Sequence, residues 1–295
     1  MFQQVDTRIP SAVEQQVHRI YRHLFREGNP GFVPQVFDWA SECFLGKHPD
    51  YQAIDALYHD FEHTLQGTWC LAQILYGWHR AHAKPELTAR MFELGLLAIL
   101  FHDTGYLKKR NDTLGTGAKY TLVHVDRSAV FASDFLTARG YAPNDIVTVQ
   151  NMIRCTGVNA DLTSIVFRTE LEQTVGFALA TADLLGQMAA HDYVEKLPIL
   201  FLEFAETARA GGEQAARFAT YTSAEVLMKR TPGFWESYVR PRIELDFLGL
   251  YRYLSDPYPD GPNPYLQRIE ENMTRLKRQL AEAGEVRSQH SANGR

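Results

Sequence analysis

Apolar residues recur along this chain at the three-to-four spacing of helices almost from end to end. In Ser11–Phe25, the positions Val13, Val17, Ile20, Tyr21 and Phe25 share one face, which predicts an amphipathic helix. Ser11 followed by Glu14 reads as its capping box, and Gly28–Gly31 breaks it. A second helix is expected from about Phe32 to Leu45. After His48-Pro49-Asp50 a long one follows through Tyr58–His82. Lys84-Pro85-Glu86 separates that helix from Leu87–His102, which holds the most apolar run in the chain, Leu94–Phe101. The run falls well short of the roughly 20 residues a membrane span needs, so it reads as a buried core helix.

Lys108–Tyr120 is polar and glycine-bearing and reads as a loop. Helix returns at His124 and stops at Gly140, a natural C′ residue. Pro143-Asn144-Asp145 opens the next helix, through Thr156, and another covers Leu171–Ala190. The C-terminal third continues helical over Leu197–Ala210 and Ser223–Leu254. Asp256–Pro264 is a proline-rich turn before a last amphipathic helix, Tyr265–Ala283. No segment alternates with the period of a strand, and no internal repeat is visible. The expectation is an all-α chain: one helical domain over 1–283, with a core at about 50–195, a C-terminal helical extension at 196–283, and a flexible tail at 284–295.

Composition narrows the function. At 295 residues, with 45% hydrophobic and 22% charged residues, the chain can bury a core without help from a metal. A metal found here would serve chemistry rather than folding. The net charge of −5 offers no basic excess for a nucleic-acid duplex. Cys43, Cys70 and Cys155 are few, odd in number and widely spaced, which fits neither a disulfide framework nor a zinc knuckle. The first residues carry acids and no apolar stretch of a secretory signal, so a cytoplasmic protein with no membrane segment is expected.

The histidines carry the candidate chemistry. His59 and His63 stand four apart, and on a helix that offset is only about 40°, so both imidazoles would share one face. His102-Asp103 ends the most apolar helix, where an imidazole and a carboxylate are costly to bury unless they pair or bind a cation. Asp183 lies among small and apolar residues in Ala180–Gly186, which raises the same problem. His124 opens the helix after the polar loop. Each feature alone has a bland reading: surface histidines, a capped helix end, a partnered acid. His191-Asp192, in an amphipathic setting, reads as a decoy. Gly115–Tyr120 has the wrong spacing for a phosphate loop.

Together, these elements resemble the HD superfamily of metal-dependent phosphohydrolases. Tyr58-His59-Asp60-Phe61-Glu62-His63-Thr64 is similar to the YHNxxHT-type element of cyclic-nucleotide phosphodiesterases and many bacterial HD proteins, Leu100–Tyr106 to the defining HD motif, and Ala182–Gly186 to the closing aspartate. The resemblance spans roughly Leu57 to Met188. It implies an HD-type helical bundle with additional N- and C-terminal helices, and one or two divalent ions (Mn, Mg, Fe, Co, Ni or Zn). His63, His102, Asp103 and Asp183 are the implied ligands. Asp103 would bridge to a second ion, and His124 would serve that ion or the substrate. His59 is the implied general acid, which makes His59 and Asp103 the catalytic pair. The implied substrate is a small-molecule phosphoester, with a nucleotide or cyclic nucleotide expected.

Lys108, Lys109 and Arg154 are candidate phosphate contacts, each with the alternative of a solvated charge. Two departures from the family pattern stand out. Asp60 occupies a position where asparagine is usual, and the segment Met152–Thr156 lacks a histidine often found there in dinuclear members. The competing functions are an HD-type mixed-valence di-iron oxygenase, disfavoured by that missing histidine, and a non-catalytic nucleotide-sensing module. The C-terminal helices offer a lid or a homodimer surface, with Phe201, Phe204, Phe234, Trp235, Tyr238, Phe247 and Tyr251 as candidates against ordinary core packing.

Overall fold

The computed structural model describes residues 5–158 and 160–293, with side chains except at 213–214 and 284–293. Among the described residues the fold is all-α: eleven α-helices joined by loops and short 3-10 turns, with an isolated bridge between Tyr51 and Lys109 and no sheet. No helix is long and apolar enough to cross a membrane.

Helix α1 (Pro10–Leu24) buries Val13, Val17, Ile20 and Tyr21, the face its spacing predicts. Its start differs from expectation. Ile9 is the N-cap and Pro10 the first helical residue, so Ser11 lies inside the first turn and caps nothing. Proline fits there because its missing N–H has no partner to lose in a first turn. Helix α2 (Phe32–Phe44) covers the same side.

The centre is built from α3 (Phe61–Arg80), α4 (Ala89–Phe101) and α7 (Glu170–Met188), with α3 packed most extensively on α7. Leu94–Phe101 of α4 is buried at every position, as the apolar run demands. Around this centre stand α5 (His124–Thr137), α6 (Pro143–Arg154) and α8 (Tyr193–Ala210). One continuous apolar core runs from Val13 to Leu276.

Beyond α8 the chain makes the short α9 (Ala216–Ala219) and then α10 (Ala224–Phe234). Helix α10 continues through two π-helical turns, Trp235–Val239 and Arg242–Asp246. Pro232 and Pro241 each remove an amide from the hydrogen-bond ladder here, and the wider π winding accommodates the disruption. Trp235 and Phe247 are core residues. The last helix, α11 (Pro264–Asn293), carries helical backbone into the segment expected as a tail; the side chains of 284–293 and residues 294–295 lie outside the described residues.

Two glycines set the spacing of the centre. A Cβ at Gly186 of α7 would lie 2.8 Å from the backbone of Gln66 in α3, so this crossing is as close as two backbones allow. A Cβ at Gly105 would strike the carbonyl of His124, so the turn after α4 rests directly on the start of α5. The Gly105 N–H donates to Ser128 Oγ at 2.8 Å, which fixes that contact.

Candidate metal centre

Helix α3 begins one turn later than its periodicity suggests. Asp60 is the N-cap, its carboxylate accepting from the His63 N–H at 2.8 Å. His59 therefore stands before the helix and His63 in its first turn, so the pair does not share a helix face. Aspartate is among the strongest N-caps, and the local geometry follows from that. His102 is the C-cap of α4, and Asp103 begins the next 3-10 turn, Thr104–Tyr106. The apolar helix thus delivers both to the interior, each 1% exposed.

The four expected ligands converge. His63 Nε2 lies 3.3 Å from Asp103 Oδ2 and 3.2 Å from Asp183 Oδ1. His102 Nε2 lies 3.3 Å and 3.4 Å from the same two oxygens. The candidate ligand atoms of His63, His102 and Asp103 all fall within 4.8 Å of one another. The His102 Nδ1–H donates to the Ile99 carbonyl at 2.7 Å, which leaves the Nε2 lone pair facing the cluster. His124 is held the same way through the Thr121 carbonyl at 2.7 Å, and its Nε2 stands 3.7 Å from the other oxygen of Asp103.

Two imidazoles and two carboxylates have been taken out of water, yet their facing atoms make poor hydrogen bonds. His102 Nε2, Asp103 Oδ2 and Asp183 Oδ1 are buried with no hydrogen-bond partner among the described residues. They point at a common space rather than at each other. Orphaned atoms of this donor set fit a divalent cation, which accepts imidazole nitrogen and carboxylate oxygen together.

Burial alone would lower the His63 imidazole, but Asp103 and Asp183 raise it to about 10. His102 is raised against the same burial by the charges of the same two acids. Burial opposes ionisation of Asp103 and Asp183, yet His102 and His63 hold both well below the usual carboxylate range. The two carboxylates and the two imidazoles thus stabilise each other's charged forms. Burial lowers His124 below the ordinary imidazole value, against the charge of Asp103.

The cluster opens into a cavity of about 700 Å³, lined by His59, His63, Asp103, His124 and Asp183. Above it, Glu203 of α8 accepts from His59 Nδ1 at 2.6 Å and from the Tyr58 N–H at 2.7 Å. Burial opposes the Glu203 charge, but His59 and these hydrogen bonds hold the carboxyl below its ordinary range. Tyr106 stacks on both His59 and His124, with ring centres 4.6 Å apart in each pair. Glu203 and Tyr106 were not singled out by the sequence reading. A signal existed for Glu203, an acid inside the apolar run Leu197–Phe204.

Arg154 lines the cavity as expected, its guanidinium donating to Asn151 Oδ1 at 3.1 Å. Lys108 and Lys109 do not line it. Lys108 is buried with its ammonium 2.8 Å from Asp55 and 2.7 Å from the Gly115 carbonyl, holding the loop together. Lys109 is exposed on the far side, at the bridge to Tyr51. Arg217 and Arg230, from α9 and α10, stand on the cavity rim instead. Cys155 faces away and donates to the Asn151 carbonyl. His191 is exposed and outside the cavity.

A family model described as Npun_R2479-like matches residues 4–252, most of the chain and all of the cluster. No curated protein and no solved structure matches it.

Proposed function

The chain belongs to the Npun_R2479-like family, and on the geometry of its buried cluster we propose that it is a metal-dependent phosphohydrolase of the HD type. The supporting observation is the convergence of His63, His102, Asp103 and Asp183 on one buried point beside a cavity, with three of their facing atoms unpartnered. These four residues would hold a first cation. The second oxygen of Asp103 and His124 Nε2 extend the donor set toward another. When bound, such cations lower the pKa of water and neutralise charge on phosphoryl oxygens.

The chain's own residues supply the rest. Glu203 fixes the Nδ1–H of His59, so the other ring nitrogen is left to face the cavity. His59 would give a proton to the departing ester oxygen as the P–O bond to that oxygen breaks, while the attacking water forms the new P–O bond and releases its own proton to solvent. Stacking against Tyr106 keeps the imidazole from turning away and excludes solvent from its flank.

The test is hydrolysis of bis-p-nitrophenyl phosphate and p-nitrophenyl phosphate under added Mn, Mg, Co or Ni, with metal content measured on the same protein. Turnover that needs a divalent ion and vanishes in His102→Ala and Asp103→Ala supports the reading. Absence of both bound metal and turnover would sink it. Two firmly held irons without hydrolysis would favour the oxygenase.

A further inference from the structure

The cavity is too large for a phosphoryl group alone, and its walls describe the rest of the ligand. One side belongs to the metal cluster. An apolar part of the lining comes from Met188 of α7, Leu197, Leu200 and Phe204 of α8, Phe218 of α9 and Leu227 of α10, with Arg217 and Arg230 from the same stretch of chain. Phe204 and Phe218 pack with ring centres 4.8 Å apart, so this wall is a continuous surface rather than isolated side chains.

The serine, threonine and glutamine side chains along the cavity have donors already engaged. The charged groups there, beyond the cluster, are Asp126, Asp161 and the guanidinium groups of Arg154, Arg217 and Arg230. Among the described residues, every lining serine and threonine hydroxyl donates to a backbone carbonyl: Thr121 to Ala118 at 2.6 Å, Thr156 to Ile153 at 2.9 Å, Ser164 to Asp161 at 2.7 Å, Thr220 to Arg217 at 2.7 Å, and Thr231 to Leu227 at 2.9 Å. The Gln187 amide is used at both ends, accepting from the Tyr58 hydroxyl at 2.8 Å and donating to the Asp183 carbonyl at 3.2 Å. A site that reads a nucleobase or a sugar needs free donors and acceptors, because specificity for such groups comes from buried hydrogen bonds.

We propose that the substrate is a phosphoester of an apolar alcohol, alkyl or aryl rather than nucleoside, whose carbon skeleton lies against the α7–α10 wall. This rests on the phosphohydrolase reading for the reacting end alone; the apolar wall binds whether or not turnover occurs. It replaces the expectation of a nucleotide.

The experiment is calorimetric titration of the full chain, with Mn and separately with EDTA, by ethyl-, butyl-, hexyl- and octylphosphonate, and by AMP and cyclic AMP. Affinity should rise about fourfold for each methylene until the wall is covered, with an increasingly negative heat-capacity change. Leu200→Asn should flatten that rise and leave ethylphosphonate unchanged. The wild-type series decides the matter even if the variant fails to fold. Affinity independent of chain length, or nucleotides binding more tightly than octylphosphonate, would overturn the proposal. Length-dependent binding without hydrolysis of any ester would support it while removing the phosphohydrolase reading. Hydrolysis with no length dependence would do the reverse.

Discussion

The carboxylate of Glu203 holds Nδ1 of His59 at 2.6 Å across 144 residues of chain. The group that aims the expected acid therefore comes from α8, beyond the segment that resembles HD proteins. Glu203→Gln should lower kcat about 10–100-fold, less than the loss expected from removing a general acid outright. KM and metal content should stay near wild type, which separates positioning from folding. A variant with normal kcat, or one that also loses its metal, would remove Glu203 from this role.

The unpartnered atoms at the cluster predict a dependence of stability on cation. A ligand at a hundredfold excess over Kd adds about 2.7 kcal/mol, which for a chain of this size raises Tm by roughly 5 °C or more. Scanning calorimetry with Mn against EDTA should show that rise in the wild type. In His102→Ala and Asp183→Asn it should be absent.

The crossing of α3 and α7 has no room to spare at Gly186. Gly186→Ala should cost about 1–3 kcal/mol and weaken cation binding, because separating the helices draws Asp183 away from His63. Gly67→Ala is the comparison. Its added Cβ would meet the tip of the Ile99 side chain at 3.3 Å, and that tip can shift. Equal effects from the two variants, in denaturant unfolding and metal titration, would contradict this account.

The loop after the HD turn is tied by Asp112, which accepts from Lys119 Nζ and from the Tyr120 hydroxyl, each at 2.5 Å. Those bonds, Lys119 first, lower its carboxyl from 3.8 to about 2. A group depressed on folding stabilises the native state above its unfolded pKa and loses that contribution as pH falls through the folded value. The wild type should therefore exceed Asp112→Asn in stability above pH 3.8, with the difference gone near pH 2. Urea unfolding across that range checks the sign.

Much of the fold was legible because its helices are strongly periodic or continuously apolar. The face of α1 and the buried run Leu94–Phe101 followed from spacing alone. The start of α1 did not, because Pro10 outranked the serine cap. His102, Asp103 and Asp183 were legible for a physical reason, since each is a polar group in a setting that should reject it, whereas His63 entered through its spacing from His59 and the resemblance. His59 was singled out on the wrong geometry, since Asp60 starts the helix between it and His63. The lysines after the HD motif misled because a cation near a site in sequence can be spent on its own loop, as Lys108 is on Asp55. Nothing local announced that Glu203 would reach His59, because only the docking of α8 brings them together.

The two π-helical turns after α10 give this architecture an unusual freedom. A π turn accommodates a residue that α-helical winding would not, and each residue removed turns the preceding helix by about 100°. Leu227, Thr231 and Phe234 of α10 line the cavity, and the first π turn follows directly on that row. Deleting a single residue within Trp235–Val239 should turn that row relative to Trp235 and Val239, which the core holds.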